Sequence, residues 1–237
     1  MGTRGATPII LLPGMDGTGE LLHAVADQLS AHRPALTLAY PLDRPLGYDQ
    51  LVAYVLDRAP NVPFVILGES FSGPIAIEIA AKDSRAVGLV LVSSFARHPL
   101  PTAFALIALF ARSVDLRWLP MSIVAAALMG PTATPELIDQ LRRTLAKLPR
   151  EIIRTRAYEV LRVDKRDRLR QVPCPVLCLH GRQDRFLGRR HVNEIVASQP
   201  SCQVRWLDAP HMLLETHPEA AAEAINYFCD QLKDLTT

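Results

Sequence analysis

Short, unbroken apolar runs recur along this chain, each followed by a longer stretch in which apolar residues return with helical spacing. The runs predict strands near 8–12, 35–40, 63–68, 87–93, 174–180 and 202–207. The stretches between them predict helices near 18–31, 48–59, 71–82, 189–198 and 216–233. Strands such as Ile9-Ile-Leu-Leu12 and Phe64-Val-Ile-Leu67 carry no polar alternation. They therefore belong inside a sheet covered on both faces, which is the environment of parallel strands. Strand–helix alternation of this kind predicts an α/β architecture, a mainly parallel sheet of about six strands between helical layers.

One region breaks the pattern. From Ser94 to about Gln171 there is helical periodicity but no strand signal, and Pro99, Pro101, Pro120, Pro131, Pro135 and Pro149 cut it into pieces. An insertion between the strand near 87–93 and the strand near 174–180 reads as a helical cap. The chain then divides into a core of residues 1–94 and 171–237 with a cap of 95–170, one domain overall.

The candidate chemistry lies where predicted strands end. Gly68-Glu-Ser70-Phe-Ser-Gly73 follows a strand and opens a helix. A serine flanked by small residues at such a junction is lifted out of the sheet on a tight turn, with a helix N-terminus behind it. Two later strands end in Gly181-Arg-Gln-Asp184 and Asp208-Ala-Pro-His211. A serine hydroxyl becomes a nucleophile when an imidazole takes its proton, and a carboxylate fixes the tautomer of that imidazole. Ser70, Asp184 and His211 are therefore the candidate catalytic residues. The first strand runs into Pro13-Gly-Met15-Asp-Gly-Thr-Gly19, a loop whose backbone N–H at Met15, together with that of Phe71 after the serine, is positioned for an oxyanion hole. A phosphate-binding reading ranks lower, because the loop lacks Gly-Lys-Ser/Thr and the dinucleotide spacing.

These motifs, in the order serine, acid, histidine, resemble those of the α/β-hydrolase fold family, in particular single-domain serine esterases, lipases and thioesterases. The resemblance covers nearly the whole chain. The Leu-Pro-Gly-Met-Asp-Gly-Thr-Gly loop and the Gly-Glu-Ser-Phe-Ser-Gly elbow also resemble the hydrolase-like part of phytyl ester synthase-type acyltransferases. Two departures stand out. Pro13 replaces a histidine that many members carry, and the family's first antiparallel hairpin has no counterpart. Serine at the elbow sets the chain apart from dehalogenases and epoxide hydrolases, which use aspartate there. The resemblance implies a carboxylic ester hydrolase acting on small to medium apolar acyl groups through an acyl-serine. Thioester hydrolysis, hydrolysis of carrier-protein- or CoA-linked esters, and acyl transfer to a lipid alcohol remain open. A non-catalytic ligand-binding protein on the same scaffold is the remaining class, and the complete residue set argues against it.

Other histidines and acids compete less well. His98 follows the strand near 87–93, His217 precedes Pro218 at a helix start, and His180 sits in position to support the acid turn. His23, His32 and His191 fall on helices and read as surface residues. Asp208 belongs to the end of its strand, and Glu69 reads as local packing. No acid lies between Ser93 and Leu100, so Asp184 has no rival there.

Composition adds limits. Forty-nine per cent of the 237 residues are hydrophobic, ample for one core, and a formal net charge of +2 gives no reason to expect nucleic acid. No apolar run reaches the ~20 residues that span a bilayer, and the first run is a strand's length rather than a signal peptide. Cys174, Cys178, Cys202 and Cys229 show no metal or disulfide spacing, and read as free thiols of a cytoplasmic protein. No metal or cofactor is implied, and oligomeric state is not legible. The cap has two halves. Ala103–Phe110 and Met121–Met129 are almost uncharged and suit core packing or an acyl cleft. Residues 142–170 carry eleven Arg and Lys against four Asp and Glu, a balance of about +7 that leaves the rest net negative. This face reads first as solvated and partly paired. Its functional alternative is a landing surface for an anionic carrier such as acyl carrier protein or coenzyme A, as basic cap residues serve in pimeloyl-carrier-protein methyl ester esterases. Arg150, Arg154 and Arg156 are the candidate contacts.

Overall fold

A computed structural model describes residues 6–99 and 120–232. Six strands form one sheet: β1 (Ile9–Leu12), β2 (Ala35–Thr37), β3 (Phe64–Glu69), β4 (Ala86–Val92), β5 (Val176–Gly181) and β6 (Gln203–Leu207). Their order is β2-β1-β3-β4-β5-β6, and every pairing is parallel. The pleat sends successive residues to opposite faces. Phe64, Ile66, Leu89 and Leu91 enter one apolar layer, while Val65, Leu67, Val90 and Val92 enter the other. That double burial is why these strands read as continuous apolar runs.

Helices α1 (His23–Ser30), α2 (Tyr48–Leu56) and α3 (Gly73–Lys82) cover the sheet in the first half of the chain. Between β4 and β5 lie α4 (Met121–Leu128), α5 (Pro135–Ala146), α6 (Arg150–Arg162) and α7 (Arg166–Arg170), the inserted helical cap. After β5 come α8 (Arg189–Ser198), α9 (Leu213–Thr216) and α10 (Pro218–Gln231). The apolar run Ala103–Phe110 lies outside the described residues. A small apolar cluster of Leu21, Met129, Leu141 and Met212 joins the cap to the core. Among the described residues, no helix is long and apolar enough to cross a membrane.

Several boundaries differ from the sequence reading, each for a local reason. β2 stops at Thr37 because the chain turns away, and Tyr40 N donates to Gly17 O at 2.7 Å. The helix expected from residue 18 opens as a 3-10 turn at Glu20–Leu22, after Asp16 Oδ1 has accepted both Thr18 N and Thr18 Oγ1. The helix expected over 216–233 is two helices broken at His217, because Pro218 bars a helical backbone at the residue before it.

The basic half of the cap is mostly paired. Lys147 bridges Glu20, Lys165 and Arg168 bridge Glu78, and Arg166 and Arg170 bridge Asp164 and Asp167. Arg142 and Arg143 share Asp139. Exposed pairs of this kind contribute little to stability, and the three partners outside the segment, Glu20, Glu78 and Asp139, offset only part of its positive charge.

Candidate active site

The three candidate side chains meet above the C-terminal edge of the sheet, where open α/β folds place their sites. Ser70 follows β3 directly and adopts φ 46°, a left-handed conformation rare for residues with a side chain. The turn holds because its neighbours are small. A Cβ on Gly68 would lie 2.5 Å from Ser72 O. Ser94 Oγ closes the elbow by donating to Ser70 O at 2.6 Å. Strain over-determined by its surroundings is what a nucleophile turn requires.

Ser70 Oγ lies 3.0 Å from His211 Nε2, and His211 Nδ1 lies 2.8 Å from Asp184 Oδ2. The carboxylate accepts from Nδ1–H, leaving Nε2 as the acceptor for the serine proton. Asp184 is gripped locally: its Oδ1 accepts Phe186 N at 2.8 Å and Leu187 N at 2.9 Å. Burial alone would raise its pKa, but the His211 hydrogen bond and charge, with those two N–H groups, hold it below the usual carboxylate range. Backbone bonds stitch the acid loop to the histidine loop, with Arg182 N donating to Leu207 O and Gln183 N to Ala209 O. His180 supports the same turn through a hydrogen bond from Nε2 to Leu187 O. Burial lowers its pKa, so this imidazole is neutral.

The other histidines and Asp208 stand apart. His217 caps α10, with Nδ1 against Thr216 Oγ1. Asp208 is exposed and accepts from Gln183. His191 departs from expectation: it is buried, with Nε2 3.1 Å from Pro99 O. Of the four cysteines, Cys178 and Cys229 are buried and Cys174 and Cys202 half-buried.

Around this row lie features the sequence reading missed. Ser72, standing where many elbows have glycine, is more than tolerated. Its hydroxyl donates to Pro13 O and meets Tyr40 OH at 2.5 Å, tying the elbow to the β1 loop. Tyr48 OH donates to Phe71 O at 3.1 Å while its ring stacks on Phe71. Glu69 and Glu215 are both buried, and each acts on the other electrostatically. Burial first, then Asp16, pushes Glu69 up to about 7, and burial with Glu69 raises Glu215 well above its ordinary range. Burial thus favours the protonated form of both carboxyls. Phe186, 51% exposed, stands edge-on to the His211 ring at 5.4 Å.

Arg156 also departs from expectation. Taken with Arg150 and Arg154 as a possible carrier contact, it is instead 2% exposed, while the other two face outward. Its Nη1 donates to Met15 O at 2.9 Å and Asp16 O at 2.7 Å. Helix geometry explains the split. Residues 150 and 154 share a face, but residue 156 lies about 200° around from 154, a spacing visible in the sequence.

A strained serine, an imidazole and a buried carboxylate in one hydrogen-bonded row define a serine hydrolase on an α/β scaffold. The chain belongs to the alpha/beta hydrolase family, whose model matches residues 9–224. It is similar to a pimeloyl-[acyl-carrier protein] methyl ester esterase from Aeromonas salmonicida, 26% identical over 93% of this chain and 94% of that one. A second similarity, 36% identity over 109 residues, is to phytyl ester synthase 1 of Arabidopsis thaliana chloroplasts. It takes in 40% of this chain but 15% of that enzyme's length. Among solved structures, a hydrolase from Pseudomonas aeruginosa superposes with a TM-score of 0.79 at 22% identity, covering 96% of this chain and 91% of that one. That likeness concerns the fold.

Proposed function

We propose that this chain hydrolyses carboxylic esters of small to medium apolar acyl groups through an acyl-serine intermediate. The observation that carries the reading is the continuous row Ser70–His211–Asp184 at 3.0 and 2.8 Å on a positive-φ elbow. In the first half-reaction His211 Nε2 takes the Ser70 proton as Oγ bonds to the ester carbonyl carbon. The carbonyl oxygen becomes an oxyanion, received by the backbone N–H groups of Met15 and Phe71. Collapse breaks the ester C–O bond, and the imidazolium returns its proton to the departing alcohol. In the second half, water gives a proton to His211 and attacks the acyl carbon. Ser70 leaves with that proton, and the acid is released. Asp184 holds the tautomer and stabilises the imidazolium throughout. Each oxyanion donor is worth roughly 2.7–4 kcal/mol of barrier.

The test is a series of p-nitrophenyl esters of increasing acyl length, with Ser70→Ala as control. Turnover that disappears in the variant supports the reading, and equal turnover in both contradicts it. A second reading has its own support. The end-to-end similarity to a carrier-protein methyl ester esterase, with Arg150 and Arg154 exposed on α6, favours an ester presented on an anionic carrier. Selective, salt-sensitive loss of kcat/KM on a carrier-linked ester in an Arg150→Glu/Arg154→Glu variant would support it. Equal loss on neutral esters would assign these residues to the cap itself.

A further inference from the structure

Arg156 sits on a cap helix, yet its guanidinium lies beneath the loop that follows β1, some 140 residues upstream. The site is built around it. One nitrogen, Nη1, is shared by the carbonyls of Met15 and Asp16 at 2.9 and 2.7 Å. The carbon of the guanidinium lies 5.6 Å from the centre of the Tyr40 ring and 5.9 Å from that of Phe71. Gly17 has φ +69°, and a Cβ there would stand 2.4 Å from Nη1, so the loop has room for the cation only because this residue is glycine. Nothing about this placement is cheap. Burial lowers the pKa of the guanidinium, with Tyr40 and Asp16 opposing, and its buried Nε has no hydrogen-bond partner among the described residues. A cap that needed only an anchor could bury a leucine at less cost, since desolvating a cation is expensive and breaking its contacts more so.

We propose that Arg156 is a positioning residue for the oxyanion hole. By holding the carbonyls of Met15 and Asp16 on one cation, it fixes the two peptide planes that follow Met15, and these restrain, through the Met15 backbone, the adjoining Gly14–Met15 plane that carries the Met15 N–H. The inference rests on the oxyanion assignment made above. Without the cation the two carbonyl oxygens lose their shared donor, and the loop relaxes. The cap is then part of the catalytic machinery as well as a cover. Donor aim matters most where charge develops, so the loss falls on kcat and leaves KM nearly unchanged.

The experiment compares Arg156→Met, Arg156→Lys and a cap-anchor control, Lys165→Ala. Lys165 ties the segment after α6 to Glu78 on α3 at 2.8 Å without touching the loop. Kinetics on p-nitrophenyl butyrate are paired with inhibition by an aryl trifluoromethyl ketone, whose adduct with Ser70 carries the oxyanion. Arg156→Met should lower kcat about 10- to 100-fold, as small misplacements do, and weaken the ketone by the same factor. Its KM should stay within about threefold. Arg156→Lys, which keeps the charge but sits short of Nη1, should recover part of the loss, and Lys165→Ala should stay near wild type. Wild-type kcat in Arg156→Met, a loss confined to KM, or an equal kcat loss in Lys165→Ala would reduce Arg156 to a cap anchor. If the Met variant does not fold, the Lys variant decides by the same comparison. A different failure marks the underlying reading: wild type resistant to the ketone, or Ser70→Ala still active, would remove the serine hydrolase itself.

Discussion

The two loops beside Ser70 both carry local bonds, Gly17 N to Gly14 O and Thr18 N to Asp16 Oδ1 in the β1 loop, but differ in how far they lean on distant residues. The acid loop grips Asp184 with N–H groups two and three residues downstream, and backbone bonds tie it to the histidine loop beside it. The β1 loop depends further on residues from far along the chain: the Arg156 side chain from the cap, the Tyr40 backbone N–H past β2, and the Ser72 hydroxyl from the elbow. Local grip makes a loop robust and recognisable. Distant grip makes a loop conditional on the packing of another layer, so that a change in the cap reaches the reacting atoms.

The largest effect should come from the local side. Asp184→Asn presents the wrong tautomeric partner to His211 Nδ1, and kcat should fall about 10⁴-fold with the fold intact by circular dichroism. A loss below about tenfold would mean that His211 is held by something other than the carboxylate. Gly17→Ala probes the distant side. A Cβ at φ +69° displaces Arg156 and strains the turn, and kcat should drop roughly tenfold or more. Because both changes act on one contact, Gly17→Ala should cost much less in an Arg156→Met background. Full additivity in that cycle would separate the glycine from the arginine.

The triad was legible in the sequence because each member follows a strand that announces itself, and because turns need particular residues at fixed offsets. The sheet was legible for the same reason, through apolar runs that only double burial explains. What escaped reading depends on contacts across long separations. The basic cluster at 150–156 looked like one surface, although helical spacing already set Arg156 on the opposite face from Arg154. In the sequence Ser72 is one more small residue of the turn, since its partners Pro13 and Tyr40 meet it only in three dimensions. Glu69 and Glu215 show the limit most clearly. Neither carries any sequence signal of the other, and the upward push on both carboxyls follows from burial.

That pair gives a smaller, directional effect. A carboxyl raised from 4.5 to about 7 stabilises the fold fully below its unfolded value, and the contribution is lost as pH rises through about 7. Glu69→Gln, neutral throughout, should therefore flatten the decline in Tm between pH 5 and 8, a difference on the order of a few °C. Parallel Tm curves for both proteins would show that the pair is ionised in solution. Asp16, Glu215 and His211 are the charged or titratable groups that face Glu69, and none is altered by the change. The smallest effect belongs to Phe186, whose backbone N–H holds Asp184 while its ring faces outward over His211. Phe186→Ala keeps the local grip, so kcat should hold while KM for longer acyl chains rises about two- to fivefold. A fall in kcat instead would place the ring in the support of the histidine.

The most direct test of the central claim is intact-protein and peptide mass spectrometry after brief reaction with a fluorophosphonate, read beside ester turnover. One phosphonyl group on Ser70 should appear in step with loss of activity, at a rate strongly reduced in His211→Ala. A modified residue other than Ser70, or full turnover with Ser70 occupied, would contradict the account.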